Sequence, residues 1–323
     1  MYDFIVNPNA RSGLGGRIWK ELEQLLKEQK AEHRVHFTKY QRHASRIAEA
    51  MYDSYSDAKQ LAEYLISLDD GEEHTIVVLG GDGTVNEVLN GITELSKVTM
   101  GYIPMGSSND FARYFKMAAE PAECLTRILH PKKMVDMNVG IMSYKNGEKS
   151  RRYAVSTGIG FDAAVCHQAV ISKMKVFLNK LHLGKLTYLG IALSRMIALR
   201  PGKMRIRLDD GEWIEYDRAY FATAMNHPFE GGGFKFCPDA DPCDDILNVT
   251  VISGLPKWKV LCLLPTAFKG WHIRFRGIDT YTCKKVEIDS EQALPVHTDG
   301  EPVFQQRKMT AALEQDKIRL IVG

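Results

Sequence analysis

The stretch Val77-Val78-Leu79-Gly80-Gly81-Asp82-Gly83-Thr84-Val85-Asn86-Glu87-Val88-Leu89-Asn90-Gly91 decides how the rest of the chain is read. Thr75 to Leu79 is a β-branched run, apolar on both faces, which suits a central strand of a covered parallel sheet. Gly80, Gly81 and Gly83 let the backbone turn tightly and come close to whatever lies beyond the strand. Thr84 and Glu87 have the spacing of a capping box, Thr84 at the N-cap and Glu87 at N3, so a helix is expected over 84–91. A strand end, a glycine loop and a helix N-terminus then converge on one spot, where free N–H groups and the helix dipole favour phosphate. The loop carries Asp82 where phosphate loops usually carry lysine, and it fits neither G-x-x-x-x-G-K-[ST] nor G-x-G-x-x-G. A carboxylate beside phosphate is repulsive unless a divalent cation lies between them, so the loop predicts phosphate together with a metal. A plain glycine turn with a solvated Asp82 is the bland alternative. Three glycines and an acid within four residues weigh against it.

Outward from this stretch, strand and helix alternate. Strands are expected at 4–6, 35–38, 75–79 and 99–103, and helices at 18–26, 43–50, 84–91 and from Phe111 onward. This alternation predicts an α/β N-terminal domain, residues 1–132, built on a doubly wound, mostly parallel sheet. Ligands of such sheets sit beyond the carboxyl ends of the strands. Two further polar turns, Ser12–Gly16 and Pro104–Asp110, follow strands of their own, so Asp82 and Asp110 are expected after neighbouring strands. Beyond residue 132 the texture changes to short alternating strands, 153–156, 204–208, 220–224, 247–252 and 285–288, with turn signals between them. An antiparallel β-sandwich over 133–307 is predicted, with 163–200 mainly helical. The tail, about 308–323, ends in a strand at 317–322 that can return to either domain.

Composition excludes more than it assigns. A net charge of +2 and the lack of a recognisable nucleic-acid module argue against a nucleic-acid partner. The six cysteines contain no C-x-x-C pair and the ten histidines no H-E-x-x-H, so reduced thiols in a cytoplasmic protein are expected rather than a zinc site. Phe4-Ile5-Val6 reads as a first strand rather than a signal-peptide core, and no apolar run is long enough to span a bilayer. Two stretches lack acids altogether. Ala163–Leu208 carries nine Lys or Arg, and Ile246–Ile278 carries Lys257, Lys259, Lys269, Arg274 and Arg276 with Trp258, Phe268, Trp271 and Phe275 between them. Such a mixture suits peripheral contact with an anionic membrane surface. A solvated basic helix face over core aromatics is the competing reading. A homodimer is a possible assembly.

The ordered motifs resemble those of the bacterial diacylglycerol kinase-like lipid kinases, whose catalytic domain is shared with sphingosine kinases. The matching residues are Ile5-Val6-Asn7-Pro8 with the Ser12–Gly16 loop, Thr38 with His43-Ala44, Gly80 to Glu87, and Ile103 to Ala112. They continue with Asp136 before Asn138-Val139-Gly140, then Gly158-Ile159-Gly160-Phe161-Asp162, Gly231-Gly232-Gly233, Cys237-Pro238-Asp239-Ala240 and Asp299-Gly300-Glu301. The resemblance implies an NAD kinase/phosphofructokinase-like catalytic domain and a β-sandwich, with ATP and Mg²⁺ between them and the γ-phosphate passing to a lipid hydroxyl, diacylglycerol-like by preference. It implies that Asn7, Thr38, Gly80, Gly81, Asp82, Gly83, Thr84, Asn86 and Ser107 hold nucleotide. It further implies that Asp82, Asp110 and Asp136 form an acidic network supporting the metal. The chain reads Cys243-Asp244-Asp245-Ile246-Leu247 where the family often has Asp-Asp-Gly-x-Leu, so a structural Mg²⁺ would rest on Asp244 and nearby carbonyls. A kinase of a soluble compound such as NAD, and a nucleotide-binding regulator without turnover, are the alternatives. At Asp299-Gly300-Glu301 the resemblance implies a catalytic acid near the acceptor, Glu301 as proton acceptor with Asp299 orienting or sharing the role. An extended backbone would put both carboxylates on one face, whereas a tight turn at Gly300 would separate them.

Overall fold

The computed structural model describes residues 1–39, 74–171 and 200–323. The helix expected over 43–50 and most of the helical reading of 163–200 lie outside the described residues. The chain divides into two units, Met1–Val139 with Glu314–Gly323, and Gly140–Leu313.

The first unit holds β1 (Tyr2–Val6), β2 (His33–Phe37), β3 (His74–Gly80), β4 (Val98–Pro104), β5 (Met134–Met137) and the last strand of the chain, Ile318–Ile321. Their order is β2-β1-β3-β4-last strand-β5. All pairings are parallel except that of β5, which runs against the last strand. Ile76 to Leu79 are fully buried, as a strand covered on both faces requires. Helix α1 (Gly15–Glu28) buries Trp19, Leu22 and Leu26 at helical spacing, and Trp19 packs 5.0 Å from the Phe4 ring. The last strand inserts between β4 and β5, and its Ile318, Leu320 and Ile321 are buried on the faces of the sheet. The pairing register sets Val6 beside both Phe37 and Leu79, and Gly80 beside Pro104, so four parallel strands end level with one another.

The expected capping box is corrected. Helix α2 runs Asp82–Gly91 with Gly81 as its N-cap and no side-chain cap hydrogen bond. Gly81 is extended (φ −96°, ψ 178°), and its carbonyl accepts the N–H groups of Thr84 and Val85. The N-cap therefore lies three residues earlier than the Thr84–Glu87 spacing indicates, and Thr84 is buried in the first turn. The described residues of the unit also form α3 (Asp110–Tyr114), α4 (Pro121–Leu129), a short helix at Ala10–Gly13 and a 3-10 turn at Leu95–Lys97.

The second unit is antiparallel throughout its main sheet. It contains β6 (Gly140–Tyr144), β7 (Lys149–Tyr153), β8 (Ser156–Gly160), β9 (Gly202–Leu208), β10 (Trp213–Met225), β11 (Phe229–Glu230), β12 (Phe234–Lys235), β13 (Leu247–Ser253), β14 (Ile278–Cys283), β15 (Lys285–Thr298) and β16 (Glu301–Leu313). The first part of β10 pairs with β9, and after a register shift its second part runs between β8 and β13. β15 likewise pairs first with β9 and, past its own shifts, with β8. Two long bulged strands thus tie the two layers of a sandwich, as expected where strands switch sheets. Ile206, Val249, Val286, Val296 and Met309 belong to the apolar core of this unit. Two helices, α5 (Phe161–Ile171) and α6 (Lys257–Leu263), are added to it. Among the described residues no helix is long and apolar enough to cross a membrane.

Candidate active site

In the first unit the level strand ends gather the expected nucleotide residues into one row. Thr38 follows β2 and donates its N–H to Val6, while Asn7 follows β1 and donates its N–H to Leu79. The Asn7 side chain donates to Thr84 Oγ1 at 3.3 Å and accepts the Asn9 N–H at 3.0 Å, so the first loop is latched to helix α2. Asn86 is fully buried in the same helix. Gly81 and Gly106 hold the loops after β3 and β4 together: a Cβ on Gly106 would lie 3.0 Å from the Gly81 Cα, and one on Gly81 would lie 3.3 Å from the Gly106 Cα. Met105 N–H donates to the Gly80 carbonyl at 2.6 Å. Ser107 lies exposed on the neighbouring turn. Two buried oxygens at this edge, Thr38 Oγ1 and Asn109 Oδ1, have no hydrogen-bond partner among the described residues.

Asp82 opens helix α2 and is held from two sides. The Tyr102 hydroxyl donates to Oδ1 at 3.3 Å, and the Asp110 backbone N–H donates to Oδ2 at 3.1 Å. Burial, and then the Asp82 charge, keep the Tyr102 phenol well above its usual pKa, so it remains a donor. Tyr102 was not legible as a site residue, because a tyrosine inside an apolar strand reads as core. Asp110 is buried at the start of α3, with Arg113 Nε 3.5 Å from its Oδ1. Asp82 and Asp110 are therefore brought together. Asp136 is not. It sits on edge strand β5 opposite Arg319, which is level with Thr99 near the start of β4. That places it about five strand residues, roughly 16 Å, back from the carboxyl ends where Asp82 and Asp110 lie. Its side chain is 63% exposed and meets Arg319 at 3.5 Å. The expected three-acid network reduces to a pair, because β5 enters the sheet against the last strand and two positions away from β4.

In the second unit Asp299 and Gly300 are the two central residues of a two-residue hairpin, at φ 49° and 77°, with Thr298 opposite Glu301. Positive φ at both positions is the primed-turn geometry that Asp-Gly favours. The turn separates the two carboxylates. Asp299 accepts backbone N–H groups from Ala154 at 2.8 Å, Val155 at 2.8 Å and Ser156 at 3.0 Å, and these bonds fasten the hairpin to the neighbouring segment. Glu301 begins β16, half-buried. Beside the turn lies a buried group that sequence reading missed, although Asp162 stands in one of its quoted motifs. His297 is fully buried, with Nε2 3.1 Å from Asp162 and 3.3 Å from Glu230, and its Nδ1 accepts the Gly300 N–H at 3.1 Å. A Cβ on Gly158 would fall on the Asp162 carboxylate, so this contact needs a glycine there. Burial disfavours the imidazolium, but Glu230 and Asp162 outweigh it and push the His297 pKa up to about 9. The Gly300 N–H favours the neutral ring. One neutral N–H···N bond is weaker than two close carboxylates in a buried setting. Cys166, Glu230 and His297 bring donor atoms within 4.8 Å of one another, a spacing a metal would also accept. The hydrogen bonds to Asp162 and Gly300 already account for the ring's position.

Asp244 is exposed in the turn before β13, where its Oδ1 accepts the Ile246 N–H at 2.9 Å. Partial burial, with the charges of Asp241 and Asp245 adding to it, raises its pKa. A local crowd of carboxylates is compatible with a cation and is equally an ordinary acidic turn.

Comparison with known proteins places these two units together in one family. Residues 2–140 match the diacylglycerol kinase catalytic domain, and residues 155–321 match the YegS C-terminal NAD kinase beta sandwich-like domain. The chain is thus of the kinase class of phosphotransferases, and it belongs to the diacylglycerol kinase-like lipid kinase family. A Bacillus subtilis protein named "Putative lipid kinase YtlR" is 29% identical over 304 residues, 92% of either chain. The crystal structure of a diacylglycerol kinase from Bacillus anthracis superposes with a TM-score of 0.71 at 23% identity, covering 99% of this chain and 96% of that one. An NAD kinase from Archaeoglobus fulgidus in complex with ATP gives 0.51 at 14% identity, covering 99% and 93%. The structural likenesses establish the fold, an NAD kinase-like α/β unit with a β-sandwich.

Proposed function

We propose that this chain is an ATP- and Mg²⁺-dependent lipid kinase that transfers the γ-phosphate to a lipid hydroxyl, with a diacylglycerol-like acceptor. The observation that carries the reading is the row of four level strand ends with Asp82 braced by Tyr102 and the Asp110 N–H. Asn7, Thr38, Gly80, Gly81, Gly83, Thr84, Asn86 and Ser107 hold nucleotide along that row. The buried Thr38 Oγ1 and Asn109 Oδ1 supply the polar positions that a nucleotide would satisfy. Asp82 and Asp110 fit Mg²⁺, which takes one or two carboxylates together with phosphate oxygens. Bound there, the ion would neutralise charge on the transferring phosphoryl group. Tyr102 orients Asp82, and the close approach of Gly81 to Gly106 leaves backbone rather than side chain facing the phosphates. Asp136 has no part in this set. A cation at Asp244 would be structural.

Glu301, half-buried at the start of β16, is the proton acceptor for the lipid hydroxyl, because the Asp299 oxygens are taken by the three backbone N–H groups of residues 154–156. The reading is tested by incubating the protein with labelled ATP, Mg²⁺ and a total lipid extract, and in parallel with NAD. A labelled lipid is the expected product. Labelled NADP would point to a soluble acceptor, and tight ATP binding without any product would point to a nucleotide-binding regulator.

A further inference from the structure

The acid-free segment Ile246–Ile278 folds within the second unit as β13, helix α6 and two 3-10 turns, Leu264–Lys269 and Trp271–Arg274. One side of α6 is core, where Val260 and Leu263 pack with Phe221, Ile252 and Leu255. The other side is apolar as well. Trp258 and Cys262, four residues apart, are exposed on one face of α6, and Pro265 is exposed in the 3-10 turn that follows. A helix apolar on both sides does not suit water on either. Trp258 is 67% exposed, Trp271 49%, Phe268 47% and Phe275 40%. Four of the five exposed aromatic rings among the described residues therefore fall within Trp258–Phe275. Such concentration marks an interaction surface, unlike singly scattered apolar residues.

The rings are presented by a firm base. Phe268 stacks on Phe234 at 4.0 Å, and the Lys269 ammonium lies 4.8 Å over the Trp271 ring. Ala267 and His272 are buried beneath them. Lys257, Lys259, Lys269, Arg274 and Arg276 are interspersed with the rings along the segment, which holds no acid. A second copy of the chain seated symmetrically on this face would set five cations against five. Aromatic rings at headgroup depth with cations reaching phosphates is instead the pattern of an interfacial surface.

We propose that the face from Trp258 to Arg276 docks the protein on an anionic lipid bilayer, its four rings entering the interface and its five cations meeting headgroup phosphates. The proposal deepens the lipid-kinase reading and rests on it for the reason the enzyme visits a membrane; the docking itself does not require turnover. The test uses the full chain with phosphatidylcholine vesicles, with and without phosphatidylglycerol, read by co-sedimentation and by quenching of tryptophan emission with brominated lipid. Binding should favour the anionic vesicles and fall with salt. Brominated lipid should quench Trp258 and Trp271, leaving the buried Trp19 bright. Trp258→Ser with Trp271→Ser should bind about a hundredfold more weakly, about tenfold for each ring. Replacing Lys257, Lys259 and Arg274 by Gln should cost about fivefold for each charge. Melting curves and phosphorylation of a detergent-dispersed short-chain acceptor should stay at wild-type levels in both variants. Equal binding by wild type and both variants, equal binding to both vesicle types, or a dimer that the double tryptophan variant dissolves would each overturn the docking surface. Discriminating vesicle binding without lipid phosphorylation would uphold docking and sink the kinase reading. Phosphorylation of the dispersed acceptor without discriminating binding would do the reverse.

Discussion

Asp82-Gly83 and Asp299-Gly300 are the same dipeptide in two different settings. The first opens helix α2 at the carboxyl edge of a parallel sheet, and its carboxylate is braced by a phenol and one backbone N–H. The second forms a hairpin tip, and its carboxylate accepts three backbone N–H groups from residues 154–156. The difference teaches that an acid beside glycine carries no chemistry of its own. Asp82 is held by the Tyr102 side chain at the carboxyl edge of the sheet, whereas Asp299 is built into the backbone framework.

The sharpest way to break this contrast is at the hairpin. Glu301→Gln should bind ATP normally by calorimetry yet lose lipid phosphorylation by about a hundredfold or more. If that variant turns over normally and Asp299→Asn is dead with an unchanged melting curve, the two roles are reversed. Asp82→Asn should likewise cost about a hundredfold or more in Mg²⁺-dependent turnover, with little change in thermal stability. Wild-type turnover with the same Mg²⁺ dependence would remove Asp82 from the metal site. Tyr102→Phe should fall between wild type and Asp82→Asn in activity, because the carboxylate stays and only its brace is lost.

Asp299→Asn should act on the fold instead. Removing the charge that three backbone N–H groups share is expected to lower unfolding free energy by about 2–3 kcal/mol, measurable by denaturant titration. His297 adds a pH signature to the same region. Its pKa is raised from 6.5 to about 9, so its contribution to stability is fully present below the lower value and lost as pH rises through the upper one. The melting temperature should therefore fall over that window, and His297→Gln should flatten the fall. A profile that is identical in the variant would mean the ring is neutral throughout. The smallest effects come from the glycines. Gly300→Ala should cost about 1 kcal/mol of stability through its φ of 77°, with ATP affinity intact. Gly81→Ala should weaken ATP by about tenfold with little strain, since its φ is −96° and its new Cβ meets only Gly106. Equal ATP affinity in both glycine variants would take the Gly81 loop out of the nucleotide site.

Much of this was legible in the residues. The alternation around Val77–Gly91 and the short alternating strands of the second half lead directly to a parallel α/β sheet and an antiparallel sandwich. The row of loop residues was legible too, because parallel strands that end level must present their following turns at one edge. The failures have specific causes. The Thr84–Glu87 spacing satisfies a capping box, but the extended Gly81 starts the helix earlier. Asp136 stands in a recognisable motif, yet its distance from Asp82 depends on where the last strand inserts. Tyr102 lies within an apolar run, and its phenol meets Asp82 only because β3 and β4 are neighbours.

What the sequence determined by itself is whatever repeats over a few residues: apolar period, glycine placement, turn chemistry and the motifs of a kinase family. These are local, since each constrains only the backbone within a turn or a strand. Beyond the pairing of Asp82 with Asp110, which partners the acids meet was decided by the tertiary structure. Asp299 finds its three N–H partners about 145 residues earlier in the chain, and His297 finds Asp162 135 residues away. Such contacts are set by strand order and register, in particular the pairing of β15 with β8. Pairing of that kind is a property of the packed core as a whole, and no short window of residues specifies it.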